Sequence, residues 1–221
     1  MNDIIISARI FSRPEKLLYK IVFEPIAIKK IMLHSIEFSN PMKSRWRWKE
    51  VIGLLGGKLD KNGQVIVTDS FPITHGSKYH VQFHNKNYII ASIINDNLSE
   101  RNEFFVGWYH SHPGLGFFYS ETDIINHLGY QDVNPKAIGL VFDHEGYNKH
   151  GHFFEVYNLD YSKYGVSGYH EVPYSIKGIS KKREHSELKR MFDRILFYWK
   201  INFVESAEKS LKKWLKTQKK S

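Results

Sequence analysis

The residues with the most chemistry to offer lie in one stretch, Gly107-Trp108-Tyr109-His110-Ser111-His112-Pro113-Gly114, followed by Ser120 and Asp123. Two histidines at i and i+2 of an extended segment project to the same side, so both imidazoles can grip one ion. Pro113 ends the extended segment, and Gly114 and Gly116 allow a sharp turn. Ser120 opens a helix as its N-cap, which places Asp123 in the first turn. That turn can carry a carboxylate back over the two imidazoles. Two neutral imidazoles and one carboxylate make three protein ligands. Zinc held this way keeps a fourth position for water, the open geometry of a catalytic site. The same donor set also describes non-haem iron(II) centres, and metal analysis separates the two.

Taken singly, each signal is weak. With 12 histidines in 221 residues, about one His-x-His pair arises by chance. His150-Gly151-His152 is such a pair, in a loop entering a strand, with no Pro after it and no Ser-x-x-Asp downstream. It reads as surface histidines. Ser120 and Asp123 alone would read as a capping arrangement. Glu50 differs, because a glutamate opening an apolar strand needs a reason to be buried.

The elements that must position these groups alternate along the chain. Residues 19–23 alternate as a strand ending at Pro25, and residues 26–39 have helical spacing closed by Asn40-Pro41. Residues 50–59 form an apolar run suited to a buried strand. Asp60-Lys61-Asn62-Gly63 is a hairpin turn, from which residues 64–71 pair back. A helix is expected over 85–99, a strand over 103–110, a helix over 120–130, and strands over 136–143 and 152–159. The Tyr-, Gly- and Ser-rich segment 160–180 is expected to be a loop, and residues 185–216 a helix. The class is α/β with a mixed sheet.

Glu50, then His110-Ser111-His112-Pro113, six residues, Ser120, two residues and Asp123, resembles the JAMM motif of the MPN-plus metalloproteases. The wording is nearest that of the branch found in the proteasome lid. Residues 50–56 resemble the family's glutamate strand, residues 107–114 its metal loop, and residues 134–143 the strand that follows. The resemblance covers roughly residues 19–160. It implies the MPN fold, a mixed sheet flanked by helices, with a C-terminal helical tail. It also implies a zinc-dependent isopeptidase, with one zinc per chain on His110, His112 and Asp123. Glu50 would be the general base and Ser120 would steady the oxyanion. The substrate would join the C-terminus of ubiquitin or a ubiquitin-like protein to a lysine amine. The alternative within the family is a non-catalytic MPN scaffold subunit. The family's substrate-selecting insertions would correspond to residues 75–87 and about 160–180. The segment 41–49, with Trp46, Trp48 and four cations, departs from the family pattern. It is either a loop pinned by its aromatics or a contact surface beside the site.

Composition bounds the rest. The 221 residues suffice for one sizeable domain with an appendage, and the absence of cysteine excludes disulfide scaffolds, iron–sulfur clusters and thiol nucleophiles. No apolar stretch is long enough to span a membrane, and the N-terminus lacks the features of a signal peptide, so a cytoplasmic location is expected. The net charge of +9 is concentrated: residues 181–221 hold 13 basic and 5 acidic residues, net +8. We divide the chain into a catalytic domain, residues 1–180, and a basic amphipathic tail, residues 181–221. The tail's apolar stripe, Leu188, Phe192, Ile195 and Trp199, then Phe203, Ala207, Leu211 and Trp214, is expected to dock on a larger assembly or on a second copy. Nucleic-acid motifs are missing, and neither a nucleic acid nor a membrane is an expected partner.

Overall fold

The computed structural model describes residues 20–77, 85–162 and 165–218, with the side chains of residues 203–208 and 210–218 outside that description. The elements are β1 (Ile21–Phe23), α1 (Pro25–Phe38), β2 (Val51–Leu59), β3 (Val65–His75), α2 (Asn85–Ser99), β4 (Phe104–Ser111), α3 (Glu121–Gln131), β5 (Ile138–Phe142), α4 (Gly146–His150), β6 (Phe154–Ser162), β7 (Gly165–Glu171), β8 (Tyr174–Ile176) and α5 (Lys181–Gln218). A single 3-10 turn covers Arg45–Arg47. The eight strands form one mixed sheet in the order β7-β6-β5-β4-β2-β3-β1-β8. Strand β4 pairs β5 in parallel, and β1 pairs β3 and β8 in parallel; the other neighbours are antiparallel.

Period-two alternation gives each central strand two buried faces. Val51, Leu55, Tyr109, Leu140 and Phe142 face one side, with Ile28, Ile31 and Met32 of α1 and Leu188, Phe192 and Ile195 of α5. Ile52, Leu54, Trp108 and Val141 face the other, with Ala91 of α2 and Ile124 and Leu128 of α3. Pro25 starts α1 at a position where its missing N–H is not needed. Across the first face, the Tyr109 hydroxyl meets His34 Nδ1 at 2.9 Å. On the second, Gly139 leaves the room that the Tyr119 hydroxyl occupies.

Two expectations change. Residues 160–180 are not a loop: β6 runs on to Ser162, β7 pairs back along it, and β8 joins β1 at the far edge. The glycines and serines that suggested a loop sit in an edge strand whose pattern is half-exposed. The tail's stripe is also partly satisfied at home. Leu188, Phe192 and Ile195 are buried in the chain's own core, and Phe192 lies 4.7 Å from Phe153 between ring centres. The side chains of Phe203, Ala207, Leu211 and Trp214, and residues 78–84 of the expected first insertion, lie outside the described residues.

Candidate metal centre

His110 is the penultimate residue of β4 and His112 lies one residue past the strand's end, two residues apart on one face of the extended segment. Their neighbour Ser111 points the other way and accepts a hydrogen bond from Val51 N at 3.0 Å, pinning the start of β2 beside them. The ladder places Ile52 opposite His110, so Glu50, two residues earlier, falls alongside His112 on the same face. Ser120 caps α3 in a full capping box. Its hydroxyl donates to Asp123 Oδ2 at 2.6 Å and its backbone N–H donates to the same oxygen at 2.8 Å.

The fold therefore brings His110, His112 and Asp123 together, all three buried, with their ligand atoms within 4.8 Å of one another. His110 Nε2 lies 3.1 Å from His112 Nε2 and 3.2 Å from Asp123 Oδ1. His112 Nε2 lies 3.6 Å from Asp123 Oδ2. Ligand bonds of about 2.0–2.1 Å in a tetrahedron put ligand atoms roughly 3.3 Å apart, and the three observed separations bracket that spacing. Two nitrogens and one carboxylate oxygen suit zinc better than magnesium or calcium. Nδ1 of each histidine is buried without a hydrogen-bond partner among the described residues. Ring orientation is set by packing instead. His110 stacks on Trp108 at 4.6 Å and 11°, and His112 lies 4.6 Å from Phe118.

Electrostatics follows from burial. Burial, and then the negative charge of Asp123, pushes the Glu50 carboxyl up to about 8. Burial alone would also raise Asp123, but hydrogen bonds from His110, His112 and the Ser120 hydroxyl hold it well below the usual carboxylate range. Burial lowers His110 against the pull of Asp123, which favours the neutral imidazole a metal needs. A carboxylate kept ionised beside neutral imidazoles is a ready cation site, and a second, proton-holding carboxyl stands next to it.

A protein-family model described as "JAB1/Mov34/MPN/PAD-1 ubiquitin protease" matches residues 16–136. The chain belongs to this family. Its fold is accordingly the MPN fold. The chain is 34% identical over 97 residues to COP9 signalosome complex subunit 5 of Debaryomyces hansenii, covering 42% of this chain and 20% of that protein. It is 31% identical over 120 residues to 26S proteasome regulatory subunit rpn11 of Schizosaccharomyces pombe, covering 53% and 36%. It is 32% identical over 154 residues to NAD(+) hydrolase TcpA of a Theionarchaea archaeon, covering 67% and 43%. The chain thus spans between a fifth and less than half of the length of these relatives.

Several residues around the site carried no role in the sequence reading. Trp108 forms the slot for His110, and its indole N–H donates to His127 Nδ1 at 2.9 Å. Alternation along β4 could have put Trp108 on the histidines' face. Tyr169 of β7 accepts from Tyr119 N at 3.1 Å, holding the approach to Ser120. Nothing in its local sequence signals that. At the second pair, His150 ends α4, Gly151 is left-handed (φ 81°), and His152 Nε2 lies 2.6 Å from Glu155 Oε1. No third metal-binding group joins that pair among the described residues. The 41–49 segment divides: Trp48 is buried with its indole N–H on Asn40 O, while Trp46 is 72% exposed beside Arg47.

Proposed function

We propose that this chain is a zinc-dependent JAMM-type isopeptidase. It hydrolyses the bond between the C-terminus of ubiquitin or a ubiquitin-like protein and a lysine amine, acting in the cytoplasm. The observation that carries this reading is the convergence of His110, His112 and Asp123, with Glu50 buried just before the adjoining strand β2. Kinship with proteasomal and signalosome subunits supports the substrate class.

In this reading His110 Nε2, His112 Nε2 and Asp123 hold one zinc per chain. Bound there, zinc supplies a Lewis acid that acidifies water and polarises a carbonyl. Glu50 takes a proton from the attacking water on one carboxylate oxygen and delivers it to the leaving lysine amine. Without metal, burial and the charge of Asp123 push this carboxyl up to about 8; the positive charge of a bound zinc would favour its ionised form, the one that accepts a proton. The Ser120 backbone N–H holds Asp123 in place, which leaves the hydroxyl, by rotating away from Asp123 Oδ2, to donate to the negative charge that develops on the carbonyl oxygen. Trp108 and Phe118 keep the imidazoles from rotating. Residues 1–180 hold all of these groups, and the exposed Phe197, Tyr198 and Ile201 of α5 are apolar groups that a partner subunit or a second copy would cover.

A panel of ubiquitin and ubiquitin-like conjugates, incubated with and without chelator, tests the proposal. Cleavage of at least one conjugate, lost with chelator and restored by zinc, is expected. If no conjugate is cut by zinc-loaded protein, the scaffold alternative stands in its place.

A further inference from the structure

The loop at 113–119 joins the histidines to the helix that carries Asp123, so its shape sets the separation of imidazoles and carboxylate. It contains two glycines in the left-handed region, Gly114 (φ 78°) and Gly116 (φ 96°), and so has little stiffness of its own. What holds it is Asp143, which follows β5 and is 0% exposed. One carboxylate oxygen accepts from Gly114 N at 2.9 Å, the other from Gly116 N at 3.0 Å. The first oxygen also accepts from Glu145 N at 2.9 Å. Asp143 is itself tied down: its N–H donates to Phe153 O at 2.9 Å, while His112 N donates to Phe142 O at 2.9 Å. Trp48 and Glu145 close over Gly114 from outside, where an added methyl would meet Glu145 Oε2 at 3.1 Å and the Trp48 ring at 3.3 Å.

We infer that Asp143 is a positioning residue of the metal centre: by gripping two loop N–H groups with two carboxylate oxygens, it fixes the distance between His110 and His112 on one side and Asp123 on the other. This rests on the reading of those three residues as metal ligands. A carboxylate is needed because each oxygen is an acceptor. An amide presents one acceptor and, toward the other N–H, a second donor. Buried groups that orient a metal site's ligands are typically worth 10–100-fold in metal affinity.

The test is cobalt(II) titration of the full chain, read by visible absorption and by competition with a chelator. Wild-type protein is expected to bind one cobalt with the strong bands of a tetrahedral site. Asp143→Asn should bind about 10–100-fold more weakly with shifted, weaker bands. Asp160→Asn, which alters an exposed carboxylate paired with His170, should match wild type. Gly116→Ala loosens the same grip from the loop side: it keeps the N–H and its methyl meets nothing within 4 Å, but the left-handed backbone (φ 96°) is strained for alanine, and relaxing it draws that N–H away from Asp143. It keeps the test decisive if Asp143→Asn does not fold. Wild-type affinity and spectrum in folded Asp143→Asn, or in Gly116→Ala where the first variant is unfolded, would overturn the inference, even if melting temperature fell. Absence of cobalt binding by wild type would instead sink the ligand reading, and the inference with it.

Discussion

Glu50→Gln should abolish activity and yet stabilise the metal-free protein, with a pH dependence that identifies the cause. The carboxyl is pushed up to about 8, from an ordinary value of 4.5, by burial and the charge of Asp123. Its folded-state value is raised, so its share of stability is fully present below 4.5 and is lost as pH rises through 8. In that window the unfolded chain has released the proton while the folded chain still holds it. At pH 7 the difference amounts to about 2.5 pKa units, a ceiling of roughly 3 kcal/mol at 1.36 kcal/mol per unit. Glutamine mimics the protonated carboxyl and has no proton to lose. Thermal melts of chelator-treated protein should therefore coincide for the two forms near pH 4.5. By pH 7 the glutamine variant should melt higher, by up to roughly 6–12 °C at about 2–4 °C per kcal/mol for a chain of this size. With zinc restored, the variant should still bind metal while its turnover falls by about 10²–10⁴, the usual weight of a general base. Parallel melting curves from pH 5 to 8 would refute the buried-carboxyl argument. Near-normal turnover would refute the general-base role.

His112→Ala should lose both metal and cleavage, read by metal analysis of the purified variant. Leu188→Ala, at a site 1% exposed, should cost about 2–5 kcal/mol in urea unfolding because the first half of α5 belongs to the core; removing residues 203–221 should leave melting and metal binding intact. Tyr109→Phe should cost about 1–3 kcal/mol by stripping buried His34 of its partner. Burial, and then His75, holds His34 down at about 4, so its neutral form stabilises the fold above 6.5 and that stability is lost as pH falls toward 4. His34→Gln should flatten acid unfolding across that interval.

The candidate ligand set was legible because its geometry is local. His110 and His112 follow from strand alternation, and Asp123 from the first turn of a helix that Ser120 caps; both are matters of a few residues. The strands and longer helices between residues 20 and 159 were legible for the same reason, since their apolar periodicity repeats over each segment, whereas the one-turn α4, where a loop was expected, has no such repeat. The edge strands β7 and β8 were not. Their stability comes from pairing with β6 and β1, and the partner of β8 lies some 150 residues away, so no local pattern encodes it. Separation along the chain, here 29 and 27 residues, also hid Asp143, whose importance is that two glycine N–H groups from another segment arrive at its two oxygens. It also hid the place of the tail, where an amphipathic stripe states that something must cover it, and only the packed chain shows that Phe153 and the α1 face cover its first half. Residue type and short spacing determined which groups could do chemistry. Strand register and long-range packing decided how far apart they stand and what holds them there, because those quantities are set by contacts between segments that sequence order leaves far apart.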